Sequence, residues 1–272
     1  MPPSYTGRVT LPTDSDHYYL ALGEHRYRPT IHVQGAWSDR EQHMAPVSGL
    51  LTHAIERHEP RDDLQLGRIT FDILGMIPAE ESTVRTRTLR PGRTIELIEA
   101  TLSVGDRDVV RASAWRLSRQ DTSAVAATED PPLPSPEETT PWEGMRIWAG
   151  GYIASVEFRA ADDARAGRGR AWLRSPYGLV DGEESTDLAR YVGLVDTANG
   201  IGVRRPPTEW MFPNTDLTIH LHRAPRLPWV GMDGRVSWGA TGLGVTSTVL
   251  HDSEGPVGYA HQVLTVRPQP GR

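Results

Sequence analysis

The strongest constraint on this chain is that its two halves repeat one order of elements. In the first half, Val47, Leu50, Leu51, Ala54 and Ile55 follow the i, i+3, i+4, i+7, i+8 spacing of an amphipathic helix, predicting a helix over Pro46–His58. Pro46 suits its first position. In the second half, Leu188, Tyr191, Val192 and Val195 predict a helix over Ser185–Asn199, with Ser185 as N-cap and Gly200 as its stop. After each helix only strand signals follow. They are Arg68–Met76, Ser82–Leu89, Thr94–Val104 and Asp108–Leu117 in one half, and Thr215–Arg223, Trp229–Trp238, Gly244–Leu250 and Pro256–Val266 in the other. Gly105-Asp106-Arg107 and His251–Gly255 make corresponding hairpin turns. Strand-like sequence also precedes each helix, at Arg26–Val33 and Ile147–Phe158. One helix on one antiparallel meander leaves a sheet edge and a partly open face, so two such units gain by pairing side by side.

Between the halves, Gln120–Pro141 reads QDTSAVAATEDPPLPSPEETTP, rich in Pro, Thr, Ser and Glu with little to bury. The expected division is an N-terminal repeat over 1–119, a linker over 120–141 and a C-terminal repeat over 142–272. Composition narrows the chemistry. The chain has no cysteine, and all 29 basic residues are arginine. Thiol nucleophiles, Cys-held zinc, iron–sulfur clusters and disulfides are excluded, as are Schiff-base and pyridoxal-phosphate enzymes, P-loop NTPases and lysine-dependent kinases. The net charge is −6 and acids sit beside the arginines, so no basic block suggests a nucleic-acid partner. No run of 18 apolar residues suggests a membrane span. Met1-Pro2-Pro3-Ser4-Tyr5 lacks the charged-then-apolar pattern of a signal peptide, so a cytoplasmic protein is expected.

Single helices enclosed by a long antiparallel sheet describe an α+β hot dog fold, and two copies describe a double hot dog. Four segments then carry a resemblance over nearly the whole chain: Leu89-Arg90-Pro91-Gly92-Arg93, Leu194–Gly200 (LVDTANG), Phe212–Arg223 (FPNTDLTIHLHR) and Ala260-His261-Gln262-Val263. In their order and spacing the chain resembles the acyl-CoA thioesterase II type, the thioesterase-like double hot dog proteins. The resemblance implies hydrolysis of an acyl-CoA thioester by a positioned water, with no covalent nucleophile, cofactor or metal. It implies an Asp from the second helix, a Thr, Ser or Asn from the next strand and a Gln from the last strand. These fall on Asp196, on Asn214 with Thr215 beside it, and on Gln262. A homo-oligomer is compatible with it, since hot dog sheets commonly join edge to edge or back to back.

The residues support part of this on their own. Asp196 lies at the flank of the apolar helix stripe, where a carboxylate can face a cavity and act as a base on water, or can equally be a solvated edge. Gln262 shares a strand face with Ala260, Leu264 and Val266, so its amide needs partners; it either orients a water or thioester oxygen, or is a core Gln satisfied by backbone. Setting Val257 on Val109 and Ala260 on Ala112 sets Gln262 on Ala114, and matching the helix stripes sets Asp196 on Ile55. The polar pair therefore belongs to the second half alone. Along Asn214–His222 alternation sends Asn214, Asp216, Thr218, His220 and His222 one way and Thr215, Leu217, Ile219 and Leu221 the other. His220 and His222 share a face, yet the resemblance assigns that strand no metal. Asn199 and Asn214, the chain's only asparagines, both fall near the expected site. The second helix's N-terminus is expected to polarise the thioester carbonyl, and arginines at the mouth to meet CoA phosphates. No G-x-S-x-G elbow occurs, and Gly242-Leu243-Gly244 lacks the helix a dinucleotide site needs. The alternative to catalysis is a non-catalytic acyl-CoA or lipid-binding protein, favoured by an Asn where a hydroxyl is expected.

Overall fold

The first apolar stripe forms α1, Met44–Arg57, in the computed structural model, which describes residues 10–161 and 164–270. The opening Met1–Tyr5, read above for a signal peptide, lies outside the described residues. The helix starts two residues before the expected Pro46, because the His43 ring caps it: Nδ1 accepts the Ala45 N–H at 3.1 Å. Around α1 the first half supplies β1 (His17–Ala21), β2 (Arg26–Pro29), β3 (Leu64–Ile73), β4 (Ser82–Arg90), β5 (Ile95–Val104) and β6 (Arg107–Ser118). The other end of α1 is closed from β6. The Arg116 guanidinium donates to the carbonyls of Ile55, His58 and Glu59 and pairs with Glu96 at 3.1 Å, so a buried cation satisfies the helix's last acceptors.

The second half supplies β7 (Thr140–Pro141), α2 (Gly151–Ala154), β8 (Glu157–Ala160), β9 (Arg168–Arg174), β10 (Gly178–Asp181), α3 (Asp187–Val195), α4 (Ala198–Ile201), β11 (Trp210–Met211), β12 (Asp216–Leu221), β13 (Val230–Trp238), β14 (Leu243–Asp252), β15 (Gly255–Thr265) and β16 (Arg267–Pro268). Three expectations need correction. Ile147–Phe158 is not a strand; it contains α2, and only its end joins β8. The N-cap of α3 is Thr186, whose hydroxyl accepts the Ala189 N–H at 3.1 Å, rather than Ser185. The helix does not run to Asn199 but ends at Val195, with Asp196 as C-cap, and Gly200 lies inside α4.

Fourteen strands form one sheet in the order β10-β1-β2-β4-β5-β6-β3-β12-β15-β14-β13-β9-β8-β7. The halves meet where β3 pairs with β12, Ile69 opposite Ile219, and among the described residues all strand pairings are antiparallel except β1 with β10. The hairpins closed by Val104–Arg107 and by Asp252–Gly255 correspond, which keeps Gln262 in register with Ala114. Helices α1 and α3 cross at two glycines. A Cβ on Gly49 would stand 2.9 Å from Gly193 Cα and 3.0 Å from the Ala189 carbonyl, a spacing only glycine permits. The Ser48 hydroxyl reaches across to the Val192 carbonyl at 3.0 Å. That crossing matches Gly49 with Gly193 and so sets Asp196 on buried Thr52, not on Ile55. Residues of both halves share one main core, including Leu50, Ile69, Val192 and Ile219. The Pro-rich segment is docked: Leu133 packs with Trp172 and Trp229, Pro134 O accepts the Trp172 indole N–H at 2.8 Å, and Asp130 accepts the Tyr259 hydroxyl at 2.6 Å.

Candidate active site

The C-terminal end of α3 builds the site. Asp196 keeps helical backbone angles, φ −61° and ψ −15°, so its side chain leaves the flank of the apolar stripe as helix geometry directs. That flank is covered: Asp196 is only 5% exposed and meets Asn214 and Gln262. There Asn214 Nδ2 donates to Asp196 Oδ1 at 2.7 Å and Gln262 Nε2 donates to the same oxygen at 2.8 Å. The solvated-edge alternative for Asp196 is thereby overturned, and three of the four expected residues meet at one carboxylate. Burial pushes the Asp196 carboxyl up to about 6; the two amide donors pull it partly back, and the nearby Asp216 charge adds a small rise. Gln262 lies on the buried face of β15 with Ala260 and Leu264, as expected, and its Oε1 has no partner among the described residues.

Asn214 reaches this cluster by an irregularity that alternation does not foresee. Thr218 faces His261, but Asn214 faces Leu264, so the β12 side spends one more residue than β15 over that span. The Val263 N–H goes to Asp216 Oδ1 at 2.6 Å, while the Thr215 N–H goes to Val263 O at 3.0 Å. An extra residue in a ladder re-aims the side chains beyond it. Asn214, which alternation sets on the face of Asp216 and Thr218, therefore turns inward with Leu217 and Ile219. Thr215, which alternation sends inward, is exposed; it lines the cavity below, but no hydrogen bond joins its side chain to Asp196. Asp216 is spent on the backbone, and the His222 ring bonds the Pro256 carbonyl at 3.1 Å.

A cavity of about 350 Å³ opens beside the carboxylate, lined by Trp37, Glu41, His43, Met44, Asp196, Asn214, Thr215 and Arg267 among others. A smaller chamber of about 40 Å³ shares Trp37, His43, Asp196 and Asn214 with it and is walled by Met145, Trp148, Ile153 and Asn199. Asn199 thus reaches the site as expected, its Nδ2 held by Phe212 O at 2.9 Å. Trp37, Trp148 and Phe212 pack edge to face around the chamber, with centroids 4.9–5.6 Å apart. At the mouth, burial raises Glu41 to about 7 against two backbone N–H donors.

His43, absent from the sequence reading, stands opposite Asp196. Its ring lies 4.2 Å from that of Tyr152, and Nδ1 is 3.8 Å from Asp196 Oδ2. Because Nδ1 accepts the Ala45 N–H, it carries no proton, and the neutral ring holds its hydrogen on Nε2. Burial lowers the imidazole to about 3, so the pair is a carboxylate facing a neutral histidine rather than an ion pair. The sequence signal for His43 is weak, since Ser, Thr, Asp and Asn dominate N-caps. The helix terminus at the site is accordingly that of α1, from the first half. The N-terminus of α3, expected here, lies at the other end of the helix pair, where Thr186 meets Glu56.

Comparison with known proteins agrees with this architecture. Residues 33–117 match the family model for the acyl-CoA thioesterase N-terminal domain, and residues 112–266 match that for the C-terminal domain. No curated protein matches the chain. Among solved structures, a hot dog protein of unknown function from Alicyclobacillus acidocaldarius superposes with a TM-score of 0.73 at 13% identity, covering 93% of this chain and 97% of its own. A provisionally assigned thioesterase II from Thermobifida fusca YX gives 0.70 at 16%, covering 96% and 100%. The acyl-CoA thioesterase II TesB2 of Mycobacterium marinum gives 0.63 at 12%, covering 93% and 97%. At these identities the structures share the fold, a double hot dog; the matched family models span both repeats and the Asp196, Asn214 and Gln262 cluster, and the chain belongs to the acyl-CoA thioesterase family.

Proposed function

We propose that this protein hydrolyses an acyl-CoA thioester, with Asp196 as general base on water. The observation that carries the reading is the division of labour within one carboxylate: Oδ1 is tied to Asn214 and Gln262, and Oδ2 is left on the cavity side, facing His43. A carboxyl pushed to about 6 is mostly ionised near neutrality yet more basic than an ordinary aspartate. Water attacks the thioester carbon as Oδ2 takes its proton. The tetrahedral adduct collapses, the C–S electron pair stays on sulfur, and the proton on Asp196 passes to sulfur, giving the acid and CoA thiol. Asn214 and Gln262 are positioning residues, since both spend their N–H groups on the base. Thr215 lacks that contact, which favours Asn214 for the position left open in the sequence.

CoA would occupy the wider cavity, with Arg267 at its mouth for a phosphate, and the acyl group the aromatic chamber. About 40 Å³ favours short or flat acyl groups over long chains. A hot dog hydratase needs a histidine free to accept a proton toward the cavity, and the Ala45 N–H on Nδ1 opposes that. The test is turnover on an acyl-CoA chain-length panel, with Asp196→Ala and Gln262→Ala alongside. Turnover lost in the first variant and reduced in the second supports hydrolysis. Acyl-CoA binding without turnover returns the reading to a non-catalytic binder.

A further inference from the structure

We infer that His43 is a second catalytic residue, the Nε2–H donor that meets the thioester carbonyl oxygen, so that the first repeat supplies the electrophilic side of a site whose base comes from the second. The inference rests on the hydrolytic reading and extends it to a residue outside the Asp, Asn and Gln cluster. Three observations carry it. The ring borders both the wide cavity and the chamber, as Asp196 does, so a group bound between them touches both. Its tautomer is set by the protein, because a backbone N–H can only donate and Ala45 donates to Nδ1. Its plane is set by Tyr152, whose ring lies at 30° to it and whose hydroxyl is held by Thr197 at 2.6 Å.

A neutral imidazole cannot give its proton away without becoming an anion, so His43 moves no proton in the cycle. It lends a hydrogen bond to the carbonyl oxygen, and that bond strengthens as the oxygen gains charge in the tetrahedral adduct. The end of α1 supports the same polarity. The His43 N–H goes to Val33 O at 2.7 Å, the Ala45 N–H to His43 Nδ1, and Pro46 has none. Of the first turn, the Met44 N–H is the donor left among the described residues, and Met44 lines the wide cavity.

Two substitutions separate the cap from the chemistry. His43→Asn keeps an acceptor near Nδ1 and removes the Nε2 donor; His43→Gln places a donor near Nε2 and removes the cap acceptor. The full chain is assayed for turnover, for Tm, and for affinity toward CoA and toward CoA ketones of short and medium acyl length, in which a methylene replaces sulfur. Expected for His43→Asn are a parental Tm, kcat lower by roughly 10²–10³-fold with little change in KM, and ketone affinity weakened about tenfold or more with CoA affinity unchanged. His43→Gln should melt lower yet turn over faster than His43→Asn. Parental kcat and ketone affinity in His43→Asn, equal losses for ketone and CoA, activity that simply follows Tm, or a parent that binds the ketones no better than CoA would overturn the assignment. A parent that hydrolyses no acyl-CoA sinks the hydrolytic reading separately, because the ketone comparison still decides whether His43 meets the carbonyl.

Discussion

Replacing the proposed base should make the protein more stable. In Asp196→Asn the two donors on Oδ1 keep an acceptor of the same shape, and a neutral amide takes the place of Oδ2. What disappears is the cost of a buried charge. Folding raises the carboxyl from 3.8 to about 6, which at about 1.4 kcal/mol per pH unit is about 3 kcal/mol. A carboxyl whose pKa rises on folding favours the folded state while protonated. That contribution is complete below about pH 4 and lost as pH climbs through about 6. The parent and Asp196→Asn should therefore have similar stability near pH 4 and diverge above it. Near pH 8 the variant should lead by up to about 3 kcal/mol, or about 5–10 °C in Tm for a chain of this size. Urea unfolding of both proteins at several pH values measures the difference directly. A constant difference across that range, or a variant less stable at pH 8, would refute the claim that Asp196 is held charged against its burial.

The same carboxyl should shape the rate. kcat/KM is expected to rise tenfold per pH unit below about 6 and to be level above 7, with no second limb from His43, whose imidazole lies near 3. Gln262→Met, which removes a donor that lowers Asp196, should move the acid limb to higher pH; an unmoved limb would mean the Gln262 contact does not tune the base. At the helix crossing, Gly49→Ala should cost about 1–3 kcal/mol by forcing α1 from α3. Gly193→Ala, whose Cβ would meet Gly49 Cα at 3.6 Å, should be neutral or gain up to about 1 kcal/mol; thermal melts that rank the two the other way would contradict the crossing. Thr215→Val should keep turnover within about twofold while Asn214→Ala loses far more, a comparison that steady-state kinetics on one acyl-CoA decides.

Much of this was legible before any coordinates. Apolar spacing alone located α1 and most of α3, because a helix that buries one face must repeat at its own period. Alternation placed Gln262 on the inner face of β15, and the matching hairpins placed Ala114 opposite it in the duplication. What sequence period could not show was set by tertiary contacts. The helices meet at the backbone of Gly49 and Gly193, so matching their side-chain stripes gave the wrong partner for Asp196. The end of α3 at Val195 follows no proline or glycine, and whether the flank that carries Asp196 is solvated or covered depends on where Asn214 and Gln262 come to lie. The cap at His43 uses a side chain that seldom caps. The docking of the Pro-rich segment depends on Leu133 finding Trp172 and Trp229, residues far from it in the chain.

The irregularity between Asn214 and Thr218 makes the proposed site depend on a count as well as on identities. Adding one residue to β15 between Val263 and Leu264 would leave Asp196, Asn214 and Gln262 all present and let the ladder close in regular register, with Asn214 on the face of Asp216 and Thr218. Asn214 would then swing to the solvent side, and the carboxylate would lose one of its two holders. A comparison that scores only which residues are present would pass such a chain as intact. The difference between the residue counts of β12 and β15 across this span is therefore itself a diagnostic feature, one that separates a working frame from a silent one among otherwise similar sequences.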